Sequence, residues 1–320
     1  MKLLKIFCLG LCIGLSACQH SAIQSQTLVA KPVQEASSEI DYTVFKKNKS
    51  RHKPVVALVL GSGGARGYAH IGVIEVLEEN GIKPDFIVGT SAGSIVGSIY
   101  ASGKSAQELR DIALKMQVND VRDFNFKLQG FLDGKKVENY VNRQVQNTPL
   151  EDLKIPLYVV ATELKHGEKV VFNKGSTGQA VRASISIPSM FIPAQINGNE
   201  YVDGGLVSPV PVNIAKELGA DIVIAVDILA QPIHTETTNL WGMFNQNINI
   251  MQNKLAEEEL KNADVIIQPD LREKGHIFDV KGRETTMQAG IDAAIAKIDE
   301  IEKLMDSKAG TKTKYYSAHQ

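Results

Sequence analysis

The feature that most constrains this chain is a short apolar run that ends in a serine between two glycines. Phe86-Ile87-Val88 leads into Gly89-Thr90-Ser91-Ala92-Gly93, and small and aliphatic residues follow. This pattern predicts a strand, a sharp turn and a helix, with Ser91 held in the open at the carboxyl end of the strand. Gly89 and Gly93 would let the two backbones approach without a Cβ clash, and the helix N-terminus would stabilise developing negative charge. Ser91 is therefore the candidate nucleophile.

A glycine-rich loop, Gly61-Ser62-Gly63-Gly64-Ala65-Arg66-Gly67, comes one strand–helix unit earlier. A dinucleotide-binding fingerprint would need glycine where Arg66 stands, and the Gly-Lys-Ser/Thr of a phosphate-binding loop is absent. A third interpretation is an oxyanion hole, in which N–H groups around Gly61, Gly63 and Gly64 converge on an oxyanion and Arg66 adds positive charge. The place of the loop in the chain favours this third interpretation.

Composition excludes several classes of function. The chain has 320 residues, an apolar fraction of 43% and a formal net charge of −1. These values predict a sizeable core and no nucleic-acid-binding surface. The three cysteines are Cys8, Cys12 and Cys18, so neither a disulfide framework nor a cysteine metal site is expected in the folded body.

The first eighteen residues have the layout of a bacterial export signal. Two lysines precede an apolar run at 6–15, which is too short to span a bilayer. Leu15-Ser16-Ala17-Cys18 then resembles a bacterial lipobox, which implies cleavage before Cys18 and lipidation of its thiol. An ordinary signal peptide cleaved near Ala17 is the alternative.

The residues after Cys18 bear on where the protein would reside. Acyl chains on Cys18 would anchor it to a membrane, and Gln19, by resemblance to lipoproteins of Gram-negative bacteria, favours the outer membrane, facing the periplasm. Ser, Gln, Thr and Lys without periodicity predict a flexible tether. We divide the chain into a signal peptide (1–17), a lipidated cysteine with its tether (18–53), a folded domain (54–305) and a polar tail (306–320).

Strand-like and helical segments alternate through the folded domain. Further strands are predicted at 156–163, 169–172, 221–227 and 265–268, and helices at 105–116, 136–145, 177–183, 212–218, 240–260 and 283–305. Such alternation is typical of an α/β fold with a mostly parallel central sheet covered by helices on both faces.

A serine hydroxyl becomes a strong nucleophile only when a neighbouring group accepts its proton. Of the seven histidines, His276 is the strongest candidate, because it follows the last predicted strand and α/β-hydrolase triads run in the order Ser, acid, His. Asp203 or Asp227 would then be the acid. Alternatively Asp203 is itself the base, since it follows a predicted hairpin turn at 197–199 and an apolar site would raise its pKa.

Three stretches in this order resemble the patatin-like phospholipase family. They are the glycine-rich loop that ends in Arg66-Gly67, the Gly-x-Ser-x-Gly turn around Ser91, and Asp203-Gly204-Gly205. The segment 182–188 also resembles one that is common in the family, and the likeness covers about 54–305. Ser62 departs from the pattern, because many members carry a third glycine there.

The resemblance implies a three-layer α/β fold and a Ser–Asp dyad, with Ser91 as nucleophile, Asp203 as general base, and neither a catalytic histidine nor a cofactor. It also implies hydrolysis of acyl esters, of phospholipase A or lysophospholipase type, with membrane lipids as substrate and as anchor. Two other classes stay open. One is a catalytically silent lipid-binding lipoprotein that uses the same pocket, and the other is a serine peptidase on a similar scaffold.

Overall fold

A computed structural model describes residues 34–46, 53–229, 231, 238–271 and 282–317. The strands are β1 (Val56–Leu60), β2 (Phe86–Thr90), β3 (Phe124–Lys127), β4 (Gly130–Leu132), β5 (Leu157–Glu163), β6 (Lys169–Phe172), β7 (Ala194–Ile196), β8 (Asn199–Asp203), β9 (Ile222–Val226) and β10 (Val265–Ile267). The helices are α1 (Tyr68–Glu79), α2 (Ala92–Ala101), α3 (Ala106–Lys115), α4 (Val118–Val121), α5 (Lys135–Gln144), α6 (Thr177–Ser184), α7 (Val212–Leu218), α8 (Leu240–Leu260), α9 (Arg283–Ile295) and α10 (Ile298–Ser317).

The central sheet has the order β10-β9-β1-β2-β5-β8-β7, and β6 also pairs with β5. The strands from β10 to β5 run parallel, while β6, β7 and β8 pair antiparallel. Alternate side chains of β1 enter two cores, with Leu58 in the core beneath α1 and Val59 in the core that contains α7 residues. The predicted three-layer fold with a mostly parallel sheet is confirmed.

The pairing of β5 explains how distant segments meet. Ala161 pairs with both β6 and β8, so these two strands lie on opposite edges of β5. Val160 pairs with both β6 and β2, so β2 and β8 share the remaining edge. On that edge β2 ends with Thr90 opposite Val160, and β8 ends with Asp203 opposite Ala161. The carboxyl ends of β2 and β8 therefore meet at adjacent residues of one strand.

Several helix predictions agree closely with the structure, and two ends differ. The capping box of Ser105 and Glu108 opens α3 as predicted. The predicted helix at 283–305 is two helices, α9 and α10, and α10 continues through Ser317, so the region assigned to a polar tail is helical for most of its length. The β3–β4 hairpin was not predicted, because each strand is only three or four residues long.

The predicted flexible tether is wrong for residues 34–46. Ser37 bridges to Lys174, the N–H of Ala36 donates to Oε1 of Gln179 at 2.8 Å, and the Phe45 ring stacks on Phe86 with centroids 4.3 Å apart. These residues pack on the folded body because they bring apolar side chains and spare backbone groups to it. The predicted signal peptide and Cys18 lie outside the described residues. No helix within the described ranges is both long and apolar enough to cross a membrane.

Candidate active site

The turn that carries Ser91 is as sharp as the sequence predicts. Ser91 has φ 53° and ψ −119°, a left-handed conformation that is costly for a residue with a Cβ atom. A Cβ on Gly93 would lie 2.0 Å from the carbonyl oxygen of Leu60, and one on Gly89 would lie 2.8 Å from the carbonyl oxygen of Gly93. Both positions therefore require glycine, and they let α2 start directly against the ends of β1 and β2.

Ser91 is held at two atoms. Its hydroxyl donates to Oδ2 of Asp203 at 2.7 Å, and its backbone N–H donates to the hydroxyl of Ser184 at 2.8 Å. Ser184 in turn donates to the carbonyl oxygen of Val160. Ser91 is only 4% exposed, so its side chain lies at the bottom of a cavity and not in the open, where the sequence pattern predicts it.

Asp203 is placed to accept the proton of Ser91. Its Oδ1 accepts from the N–H of Gly205 at 2.7 Å, while its carbonyl oxygen accepts from the hydroxyl of Thr162 at 2.8 Å. Burial raises the pKa of Asp203 to about 6, although the hydrogen bonds from Ser91 and Gly205 oppose the rise. The carboxylate is thus ionised at neutral pH and more basic than an exposed aspartate.

The glycine-rich loop divides into a structural half and a half that is open to ligand. The N–H of Gly61 donates to the carbonyl oxygen of Val226 at 3.1 Å, and that of Ser62 donates to Pro209 at 2.8 Å. Gly61 is therefore not an oxyanion donor, because it prolongs the β1–β9 pairing. Within the described part of the chain, the N–H groups of Gly63 and Gly64 have no hydrogen-bond partner, so they remain the candidate donors.

Arg66 does not serve the role predicted for it either. Its Nε donates to the carbonyl oxygen of Ile228 at 2.8 Å, and its N–H donates to Gly63 at 3.2 Å. Burial lowers the pKa of Arg66 to about 10, and the nearby charge of Asp227 opposes that shift. Arg66 therefore braces the loop against the chain after β9 and does not line the cavity next to Ser91.

His70 is a residue of the site that sequence reasoning passed over. It is fully buried in α1, and its Nε2 lies 2.9 Å from the carbonyl oxygen of Gly61. Burial lowers the pKa of His70 to about 4, so the ring is neutral and Nε2 carries the donated proton. No local pattern marks this contact in the sequence, because the helical spacing of α1 accounts for His70 equally well. His70 holds the structural half of the loop in place.

The triad alternative finds no support at Asp227. Its Oδ1 accepts from the N–H of Leu229 at 3.0 Å and its Oδ2 accepts from Gln268 at 2.9 Å. His276 lies outside the described residues. In the described ranges no three His, Cys, Asp or Glu side chains are grouped to hold a metal ion.

Ser91 opens onto a cavity of about 170 Å³. Its walls come from the 64–67 turn, from α1, α2, α3, α4 and α5, and from 185–191. Among the described side chains that line it, none carries a charge, and the only polar groups are the hydroxyls of Ser91, Tyr68 and Tyr140. Such walls suit a hydrocarbon chain and disfavour a charged one.

A serine and a carboxylate in direct contact, a strained strand-to-helix turn and a glycine loop thus lie together at one end of the sheet of a three-layer α/β domain. Residues 58–216 match the family model described as patatin-like phospholipase. The chain therefore belongs to the patatin-like phospholipase family, through the domain that contains both Ser91 and Asp203.

Sequence relatives agree with this membership, and one solved structure shares the fold. An uncharacterized NTE family protein of Mycobacterium tuberculosis is 39% identical over 177 residues, which are 55% of this chain and 49% of the relative. Patatin-like phospholipase domain-containing protein 6 of Homo sapiens is 34% identical over 212 residues, 60% of this chain and 15% of the relative. The chain thus spans about half the length of the mycobacterial relative and less of the human one. VipD from Legionella pneumophila has a TM-score of 0.50 at 15% identity, covering 81% of this chain and 67% of VipD, and it supports the fold alone.

Proposed function

We propose that this protein hydrolyses acyl esters of lipids, with Ser91 as nucleophile and Asp203 as general base. The observation that carries the proposal is the 2.7 Å hydrogen bond from Ser91 Oγ to Asp203 Oδ2, at the bottom of a cavity without charged walls. The glycerol ester of a phospholipid or lysophospholipid would bring its acyl chain into that cavity and leave its head group at the mouth.

The geometry suggests an order of proton transfers. Asp203 accepts the hydroxyl proton while Ser91 Oγ bonds to the ester carbonyl carbon, and the oxyanion is stabilised by the N–H groups of Gly63 and Gly64. The tetrahedral intermediate collapses, and the leaving alcohol takes the proton from Asp203. Water then gives a proton to Asp203 and attacks the acyl group, and Ser91 regains its proton as the fatty acid leaves.

A fluorophosphonate probe tests for an activated serine. Intact-mass spectrometry of the full chain should show one adduct, which Ser91→Ala abolishes and Asp203→Ala strongly slows. Ser98→Ala is a matched control, because Ser98 is a buried serine of α2, the helix that follows Ser91, and its hydroxyl donates to the carbonyl oxygen of Ile95. Normal labelling of Asp203→Ala would contradict the dyad, and complete loss in His276→Ala with a normal melting temperature would favour the triad.

Substrate assays then separate the remaining classes. Release of fatty acid from phospholipid or lysophospholipid by the wild type, and not by Ser91→Ala, is the expected result. Cleavage of casein without cleavage of lipid esters would indicate a peptidase. A folded protein that neither labels nor hydrolyses, but binds fatty acid, would be the silent lipid-binding lipoprotein.

We also propose that lipidated Cys18 anchors the protein to the bacterial outer membrane on the periplasmic side. The support is the sequence Leu15-Ser16-Ala17-Cys18 followed by Gln19. Metabolic labelling with a fatty acid should mark the wild type and not Cys18→Ser. An unlabelled, cleaved wild-type chain would indicate an ordinary signal peptide.

A further inference from the structure

The β3–β4 hairpin is the one two-stranded sheet that stands apart from the central sheet in the described chain. Its strands pair Phe124 with Leu132 and Lys127 with Gly130. Leu128, at the tip, is fully exposed, and Phe124 is 60% exposed. Leu128 at the tip and Phe124 at the base, opposite Leu132, are large apolar side chains exposed to water, so this surface is a candidate for contact with an apolar partner.

The base of the hairpin is fixed to the wall of the cavity. The N–H groups of Phe131 and Leu132 both donate to the carbonyl oxygen of Met190, and the N–H of Ile192 donates to Leu132 at 2.8 Å. Phe191, between Met190 and Ile192, lines the cavity that contains Ser91. The hairpin therefore stands beside the cavity on a rigid base, with its tip pointing away from the core.

The chain just before the hairpin forms part of the cavity wall. Ile112, Met116, Val118 and Val121 all line the cavity and all remain partly exposed, so they belong to its mouth. β3 begins three residues after Val121. One continuous segment thus supplies part of the apolar mouth and the exposed Leu128 at the tip of the hairpin.

The charges of this hairpin suit a surface that presents phosphates. Lys127 is the only charged residue between Phe124 and Leu132, and it is exposed. The flanking carboxylates are already engaged, because Asp123 accepts from the N–H groups of Gly134 and Lys136 and Asp133 pairs with Arg182. The guanidinium carbon of Arg122 lies 5.7 Å from the centroid of the Phe124 ring. Cations beside exposed apolar side chains are the usual composition of a segment that enters the interface of an anionic bilayer.

A second hairpin on the same domain shows the ordinary case. The β7–β8 turn, Asn197-Gly198, leads into exposed Asn199 and then Glu200 and has no apolar side chain at its tip. Helix α8 also exposes Leu240 and Met251, but none of the described residues that line the cavity belongs to it. Continuity with the cavity mouth is what sets the β3–β4 hairpin apart.

We propose that the β3–β4 hairpin docks the domain on an anionic phospholipid bilayer, with Leu128 and Phe124 entering the interface and Lys127 and Arg122 at the lipid phosphates. The cavity mouth would then face the lipid, and an acyl chain could pass from the bilayer to Ser91 without crossing water. The inference rests on the proposed function for its purpose, but the docking itself does not depend on catalysis.

A fluorescent label at a single position tests whether that position enters the bilayer, whatever part of the chain binds the vesicle. The full chain would carry Ser91→Ala, and its three native cysteines would be replaced by Cys8→Ser, Cys12→Ser and Cys18→Ser. One new cysteine would then be labelled with an NBD dye. The label positions are Leu128→Cys, Asn199→Cys as the matched hairpin control, and Leu240→Cys on α8. Vesicles of phosphatidylcholine and phosphatidylglycerol should shift the emission at 128 to the blue and leave 199 unchanged. No shift at 128, or a larger shift at 240 than at 128, would overturn the proposal.

Kinetics separate failure of docking from failure of the proposed function. Leu128→Asp should lower hydrolysis of vesicle phospholipid at least tenfold and leave hydrolysis of a short, water-soluble ester within twofold, because position 128 touches neither Ser91 nor the cavity. Asn199→Asp should change neither rate. Equal vesicle rates for Leu128→Asp and wild type would refute the docking surface. A wild type that cleaves neither ester would refute the hydrolase while the label experiment still reports on docking.

Discussion

Asp203 and Asp227 are two buried aspartates next to strand ends of the same sheet, and their surroundings differ in one decisive way. Both carboxylate oxygens of Asp227 accept hydrogen bonds from structural donors, the N–H of Leu229 and the side-chain amide of Gln268, and the cation Arg66 lies nearby. One carboxylate oxygen of Asp203 accepts a hydrogen bond from a backbone N–H, and the other accepts one from the hydroxyl of Ser91. Burial raises the pKa of both, but only Asp203 faces a group that can give it a proton during a reaction. The partner of each carboxylate, and not its burial, therefore makes Asp203 and not Asp227 the candidate base.

The largest expected effect is on catalysis. Asp203→Asn keeps the shape of the side chain but cannot accept the proton of Ser91, so we expect kcat/KM for a soluble ester to fall by roughly 10³-fold. Asp227→Asn is the matched control and should stay within about threefold, since it loses no contact with Ser91. A similar loss in both variants, with unchanged melting temperatures, would remove the distinction between the two residues.

A smaller effect is expected on stability. The pKa of Asp203 is raised from 3.8 to about 6, so the folded state holds the proton more tightly, and this stabilisation is present below pH 4 and lost as the pH rises to about 6. A tenfold change in proton affinity corresponds to roughly 1.4 kcal/mol. From pH 4 to pH 7 the free energy of unfolding of the wild type should therefore fall by about 2 to 3 kcal/mol relative to that of Asp203→Asn. Urea melts at both pH values measure it. A constant difference between the two proteins would contradict the raised pKa.

The smallest expected effect is on the pH dependence of activity. Because Asp203 must be ionised to act as a base, kcat/KM should fall about tenfold per pH unit below a midpoint near 6 and be level above it. Glu259 is the main confounding group, since burial raises its pKa to about 7 and it bonds Ser208 behind the turn. Glu259→Gln and Asp227→Asn should both keep the midpoint near 6. A midpoint that moves in either variant would assign the titration elsewhere.

The sequence predicts the identities at the site better than their roles. Gly-x-Ser-x-Gly and Asp-Gly-Gly are local patterns, and each specifies its own turn, so Ser91 and Asp203 could be selected before their contact was visible. The roles of Gly61 and Arg66 depend on β9 and the chain after it, more than 160 residues away, and no local pattern carries that information. The hydrogen bond between His70 and Gly61 was likewise hidden by the ordinary helical pattern of α1.

The fold follows the same division. Long apolar runs and helical spacing predict the central sheet and most helices, because burial on two faces leaves a strong signal. The β3–β4 hairpin and the docking of 34–46 leave weak signals, since a few side chains and backbone bonds to a preformed surface decide them. Both segments lie at the surface of the domain and contribute little to its core.

The meeting of β2 and β8 on one edge of β5 also has a consequence for the order of folding. Ser91 and Asp203 are 112 residues apart, and their contact requires that the antiparallel β8 has already found its register on β5. The parallel strands β1, β2 and β9 can assemble without it, and such long-range closures form slowly. After dilution from denaturant, the recovery of esterase activity would therefore report when β8 pairs with β5. It should lag behind the recovery of helical circular dichroism.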